Sequence, residues 1–157
     1  MTTYVIYDSV FGNTERIAQA IGAGLGPEAR VMRVTDAKPE QWTAGDLLVV
    51  GSPTRGFQPT PAITELLKGL SADRLKGVKV AAFDTRIAMS DIKPAVLRAF
   101  LSLFNYAAPV IAKRLTAKGG SLLLAPEGFC VAGTEGPLKD GELERAPEWA
   151  SRLLSGV

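Results

Sequence analysis

At 157 residues, with 46% hydrophobic and 22% charged side chains, the chain has apolar material for one full core, and no apolar run approaches the roughly 20 residues that a membrane-spanning helix needs. It has no histidine and one cysteine, Cys130, which excludes Ser-His-Asp and Cys-His catalysis, the usual histidine metal sites and an internal disulfide. The net charge of +2, without a polybasic run, argues against a nucleic-acid partner.

Tyr4-Val-Ile-Tyr7 is an apolar, β-branched and aromatic run, so a buried first strand is expected here. No basic stretch or cleavage site precedes it, and none is expected to direct secretion; with one cysteine, a reducing cytoplasm is the simplest setting. From Thr14 onward, Ile17, Ile21 and Leu25 fall four apart, along one face of a helix. Gly22-Ala-Gly24-Leu-Gly26 follows a helix rather than a strand, so it reads as that helix's C-terminus and turn.

Between the first strand and helix lies Asp8-Ser-Val-Phe-Gly-Asn-Thr14. It combines two hydroxyls, a carboxamide, a glycine and the free amides of a helix N-terminus, which together suit a phosphate. No Gly-Lys-Ser/Thr follows Gly12, so this is not a Walker A loop, and the glycine triplet of dinucleotide-binding turns is missing. The alternative is an ordinary capped helix start with no ligand.

Residues 29–34 read as a second strand, and residues 36–42 as a polar connection with a short helical turn. Leu47-Leu-Val-Val-Gly-Ser52 is continuous apolar chain, the pattern of a strand covered on both faces. Pro61 suits the first turn of a helix whose apolar face is Ile63, Leu66, Leu67 and Leu70. Residues 78–83 form the fourth strand, with Asp84-Thr-Arg-Ile87 as the loop after it. Residues 87–108 are too long for a turn; Pro94 can start a helix with Val96, Leu97, Phe100, Leu101 and Phe104 on one face. That segment either lengthens the next helix, closes over a ligand, or makes a dimer contact. Pro109 opens a helix to Lys118, residues 121–125 form the fifth strand, and residues 129–132 continue it. The last helix carries Leu143, Ala146, Ala150 and Leu153, with Pro147 in its first turn or kinking it. Strands alternating with helices predict an α/β, doubly wound, five-stranded parallel sheet in one domain, residues 1–157.

A phosphoaspartate receiver is disfavoured because Ser52 stands where an aspartate is needed at the end of the third strand. Cys130 reads as a buried, inert thiol.

Ser9-Val-Phe-Gly-Asn-Thr14, followed by Glu15, resembles the FMN-phosphate loop of the flavodoxin family, with Phe11 where a hydroxyl residue is usual. Gly51-Ser-Pro-Thr-Arg-Gly-Phe57 is similar to the start of that family's first ring-binding loop, and Asp84-Thr-Arg-Ile87 stands where the second begins. Residues 133–145 look like a branch of flavodoxin-domain proteins of unassigned role. The resemblance spans the chain and implies strand order 2-1-3-4-5 with one FMN bound non-covalently. Ser9, Val10, Phe11, Gly12, Asn13 and Thr14 would hold the phosphate. Pro53, Thr54, Arg55, Gly56, Phe57, Asp84, Thr85, Arg86 and Ile87 would frame the ring, Arg55 or Phe57 covering one face and the other being less aromatic than usual. No residue is assigned as catalytic. Electron carriers of the family are usually strongly acidic, whereas this chain has a pI near 8.8.

Three roles stay open. One is an electron carrier between redox partner proteins, as a monomer or weak homodimer. The second is an FMN-dependent NAD(P)H:quinone-type oxidoreductase. The third, prompted by Phe11 and Arg55, is a module that has lost its flavin. The alternative for Arg55 and Arg86 is surface solvation or an ion pair with Asp84.

Overall fold

The computed structural model describes residues 1–88 and 106–156. Most of the segment read as a lid, a dimer contact or a longer helix, 89–105, lies outside the described residues. Strands β1 (Thr3–Tyr7), β2 (Arg30–Arg33), β3 (Leu47–Pro53), β4 (Lys79–Ile87), β5 (Ser121–Leu122) and β6 (Glu127–Val131) form one sheet. Its order is β2-β1-β3-β4-β5, with β6 also paired to β4, and every pairing is parallel. This is the expected doubly wound order, with the fifth strand divided in two.

The period-two pattern of the central strands sends their side chains into two cores. Tyr4, Ile6, Leu48, Val50, Val80 and Ala82 meet helices α2 (Pro61–Lys68) and α3 (Ala107–Ala117) on one side of the sheet. Val5, Tyr7, Leu47, Val49, Ala81 and Phe83 meet α1 (Asn13–Leu25) and α4 (Glu142–Ser155) on the other. Ile17, Ile21 and Leu25 of α1 are buried there as their spacing predicts. Each such side chain stabilises the fold by about 1.5–3 kcal/mol.

Several boundaries differ from expectation. Asp84-Thr-Arg-Ile87 is not a loop: β4 continues through it, because β3 pairs with it as far as Thr85 and β6 pairs with Phe83 to Ile87, which gives these polar residues ladders to join. Residues 123–126, ending in Pro126, separate the two halves of the fifth strand; Pro126 has no N–H to donate to a ladder. Helix α3 begins two residues before Pro109, which still falls in the first turn where its missing N–H is harmless. Pro147 lies beyond the first turn, inside α4. The connection from β2 to β3 holds two 3₁₀ turns, Val34–Asp36 and Pro39–Gln41. Among the described residues no helix is long and apolar enough to cross a membrane.

The chain leaves β1 for β2 on one side and returns to β3 on the other. This reversal opens a crevice beyond the C-terminal ends of β1 and β3, where sheets of this kind place ligands.

Candidate functional site

The turn after β1 is held by its own polar atoms. Ser9 Oγ accepts the amides of Gly12 (3.1 Å) and Glu15 (3.3 Å), and Asp8 Oδ1 accepts that of Ser9 (2.9 Å). Gly12 caps α1 at φ 93, a left-handed conformation in which a side chain is strained. The amides of Asn13 and Thr14 then have no partner among the described residues and sit at the positive end of the helix dipole. The nearby acids are drawn aside. Glu15 accepts the Tyr7 hydroxyl at 2.6 Å, and Arg33 lies 3.7 Å from Asp8 and 3.6 Å from Glu15. Burial, then the bond to Glu15, pushes the Tyr7 phenol up, so it stays a donor.

After β3 the chain makes a tight hairpin. Arg55 and Gln58 exchange amide–carbonyl bonds of 2.8 and 3.0 Å around Gly56 (φ 55) and Phe57 (φ 65). Two consecutive positive φ values suit the twist of such a turn, at a cost of about 1–2 kcal/mol for a bulky residue like Phe57. Phe57 does not line the cleft; Arg55 does, its guanidinium carbon 5.5 Å from the centroid of the Phe11 ring. Phe11 is 45% exposed and is the aromatic side chain among the described lining residues. Ser52 is buried and bridges Pro53 O and Thr60 N across this loop.

At the end of β4, Thr85 Oγ1 lies 2.7 Å from Thr14 Oγ1, joining the first turn to the central sheet. Arg86 borders the cleft, with its charge met by Asp84 at 2.7 and 2.8 Å. Of the alternatives left open for Arg86, the structure has the ion pair. Asp84 is fully buried and does not line the cleft. Burial pushes its carboxyl up against the downward pull of Arg86.

Two contributors escaped sequence reasoning. Val131, at the end of β6, and Thr134, in the turn beyond it, complete the cleft. Asn13 Nδ2 donates to Glu135 O at 3.1 Å, fastening that turn over the start of α1. Glycines such as Gly133 and Gly136 mark turns, but nothing local ties this turn to Asn13, 122 residues before Glu135.

The result is a cleft of about 340 Å³, within the usual range for small-ligand sites. Of the expected site residues, Val10, Phe11, Asn13, Thr14, Pro53, Thr54, Arg55, Gly56, Thr85, Arg86 and Ile87 line it. Ser9 and Gly12 shape its first turn from outside the lining, and Asp84 braces a wall. One end offers amides and hydroxyls to an anion. The other is flanked by Arg55, Phe11, Ile87 and Val131, a mixed apolar and cationic surface suited to a flat ring. Among the described residues no cluster of acidic or cysteine side chains could hold a metal.

The sequence profile of the family described as Flavodoxin matches residues 5–149. No curated protein matches by sequence. Flavodoxin 1 of Bacillus cereus superposes with a TM-score of 0.76 at 18% identity, covering 100% of this chain and 99% of that one. Flavodoxin 2 of the same organism gives 0.75 at 20%, with both chains covered fully. Rubredoxin oxygen:oxidoreductase from Desulfovibrio gigas gives 0.70 at 19%, covering 98% of this chain and 35% of the larger one.

Proposed function

The chain belongs to the flavodoxin family, and from that premise we propose that it binds one FMN non-covalently and carries electrons between redox partner proteins. One observation carries the reading: Asn13 and Thr14, whose amides have no partner among the described residues, and the Thr14–Thr85 hydroxyl pair line the same cleft as Arg55 and Ile87. The phosphate would be taken by the amides of Val10, Phe11, Asn13 and Thr14 with the Thr14 hydroxyl, in the turn that Ser9 and Gly12 shape. The ring would lie between the hairpin after β3 and the end of β4. Bound there, FMN supplies the redox chemistry; the chain supplies binding, orientation and electrostatics. Arg55, which has no ion pair among the described residues, favours added negative charge on the ring and so a higher potential than an acidic, aromatic site would give. The test is the absorbance spectrum of the purified protein before and after adding FMN. Flavin bands with quenched fluorescence support the reading; free FMN fluorescence at every protein concentration refutes it.

The second role, an FMN-dependent NAD(P)H:quinone-type oxidoreductase in which a ring face stays accessible to a second substrate, draws on Phe11 being the aromatic of the described lining. NADPH oxidation with a quinone, without an added reductase, separates the two. We place the protein in the cytoplasm as a monomer or weak homodimer, which light scattering after size-exclusion chromatography would check.

A further inference from the structure

Behind the cleft wall lies a charged cluster that cofactor contact alone does not require. The Asp84 carboxylate, fully buried, accepts Arg86 Nε and Nη2 at 2.7 and 2.8 Å and the Ala108 amide at 2.8 Å. Thr54 Oγ1 accepts the adjacent Ala107 amide at 3.0 Å. The carboxylate therefore ties the end of β4 to the first turn of α3, and Thr54 joins the loop after β3 to that same turn. The Arg86 guanidinium is clamped as well. The Tyr106 ring centroid is 3.8 Å from its carbon, and Gly128 lies so close on β6 that a side chain there would sit 2.2 Å from Nε. Tyr106 in turn donates its hydroxyl to Ile87 O at 3.2 Å. With stack, backbone and carboxylate all engaged, the guanidinium has one orientation, and it borders the cleft as half of a neutral pair.

We propose that Asp84 is a positioning residue for the flavin ring: it fixes Arg86 in the cleft wall and cancels its charge, leaving Arg55 as the cation that sets the local field. The proposal rests on the FMN reading. Its consequence runs through charge. With Asp84 neutral, Arg86 becomes a net cation against the ring, which favours the reduced, more negative flavin.

The experiment compares wild type with Asp84→Asn and with the double variant Asp84→Asn/Arg86→Gln. In Asp84→Asn the preference for reduced over oxidised FMN should rise about tenfold, an upward shift of about 30 mV for the two-electron couple. The double variant, neutral again, should return to the wild-type potential. Binding of FMN and riboflavin should weaken in Asp84→Asn by one common factor, because the damage lies in the ring wall and not the phosphate turn. In flavin-free protein, amide exchange at Ala108 should accelerate at least tenfold. Accelerated exchange with an unchanged potential overturns the proposal and leaves Asp84 a structural anchor. Tyr106→Leu keeps both charges and tests orientation without disturbing the buried carboxylate. It should weaken FMN and riboflavin equally, about five- to tenfold, at constant potential; unchanged binding counts against the clamp. If wild type binds neither flavin, the functional reading falls and this proposal with it. If wild type binds and Asp84→Asn matches it in affinity and potential, only this proposal falls.

Discussion

Replacing Thr14 by valine probes the anion end of the cleft with little change of shape. Thr14 is 1% exposed and its hydroxyl lies 2.7 Å from that of Thr85. Two hydroxyls sharing one hydrogen bond leave one hydrogen over, and among the described residues it has no acceptor. Aimed at a phosphate dianion, that charge-assisted bond contributes about 1.5–3 kcal/mol. Losing it raises the FMN dissociation constant roughly 10- to 100-fold. Riboflavin, which has the same ring and no phosphate, should change by less than about threefold. The substitution also strips Thr85 of its partner, costing about 1 kcal/mol of stability, which is about 2–4 °C in Tm for a chain of this size. Fluorescence quenching titrations with both flavins measure the effect, and thermal melting of the flavin-free protein supplies the stability control. Equal weakening of FMN and riboflavin would refute the reasoning, since the hydroxyl pair would then brace the fold without meeting a phosphate.

Arg55→Gln should lower the midpoint potential by about 10–20 mV, a small effect because the side chain is exposed and screened; a potentiometric titration checks it, and an unusually low wild-type potential would contradict the role of Arg55. Gly51→Ala puts a methyl group 2.0 Å from the Phe83 ring, its register partner on β4. That ring packs edge-on against Phe129 and Trp149 at 6.2 and 6.4 Å, so forcing it aside should cost about 3 kcal/mol or more, read as a urea midpoint lowered with unchanged slope. Burial pushes the Glu142 carboxyl up, but Arg145 at 2.9 Å and the Cys130 amide at 2.6 Å outweigh it and hold the group below its ordinary 4.5. A depressed carboxyl stabilises the fold above its unfolded value and loses that stabilisation as pH falls through the folded one. Urea midpoints of Glu142→Gln should therefore fall less steeply than those of wild type below about pH 4.5; parallel slopes would count against the assignment.

What was legible in the sequence was local. The apolar runs of β1 and β3 and the four-residue spacing in α1 each encode burial within a single element. The turn after β1 was readable because its donors, glycine and helix start are contiguous. The hairpin after β3 was legible as a loop, with Arg55 or Phe57 left open as the residue that faces the ligand; Arg55 lines the cleft, beside Phe11 from another turn, while Phe57 sits at positive φ outside the lining. Which aromatic lines the cleft depends on how two loops from different strands approach, and no spacing rule reports that.

The end of β4 carries the more general lesson. Asp84-Thr-Arg-Ile87 has the composition of a loop, and sequence reasoning placed it in one. Yet Asp84 and Thr85 are 0% and 5% exposed, with the strand continuing through them. A carboxylate can be buried at the end of a central strand only when a cation and amides meet it there. In an extended strand the residue two positions on shares its face, which makes Arg86 the local candidate. The spacing Asp-x-Arg was therefore sufficient to suggest the pair, and the ion pair with Asp84 was one of the alternatives open for Arg86. What one-dimensional reasoning lacked was β6, whose pairing carries β4 beyond its last contact with β3 to Ile87 and whose Gly128 leaves room for the guanidinium. Buried polar residues that follow an apolar run thus mark a strand end supported from elsewhere in the chain, and in a doubly wound sheet that support is supplied beside the ligand crevice.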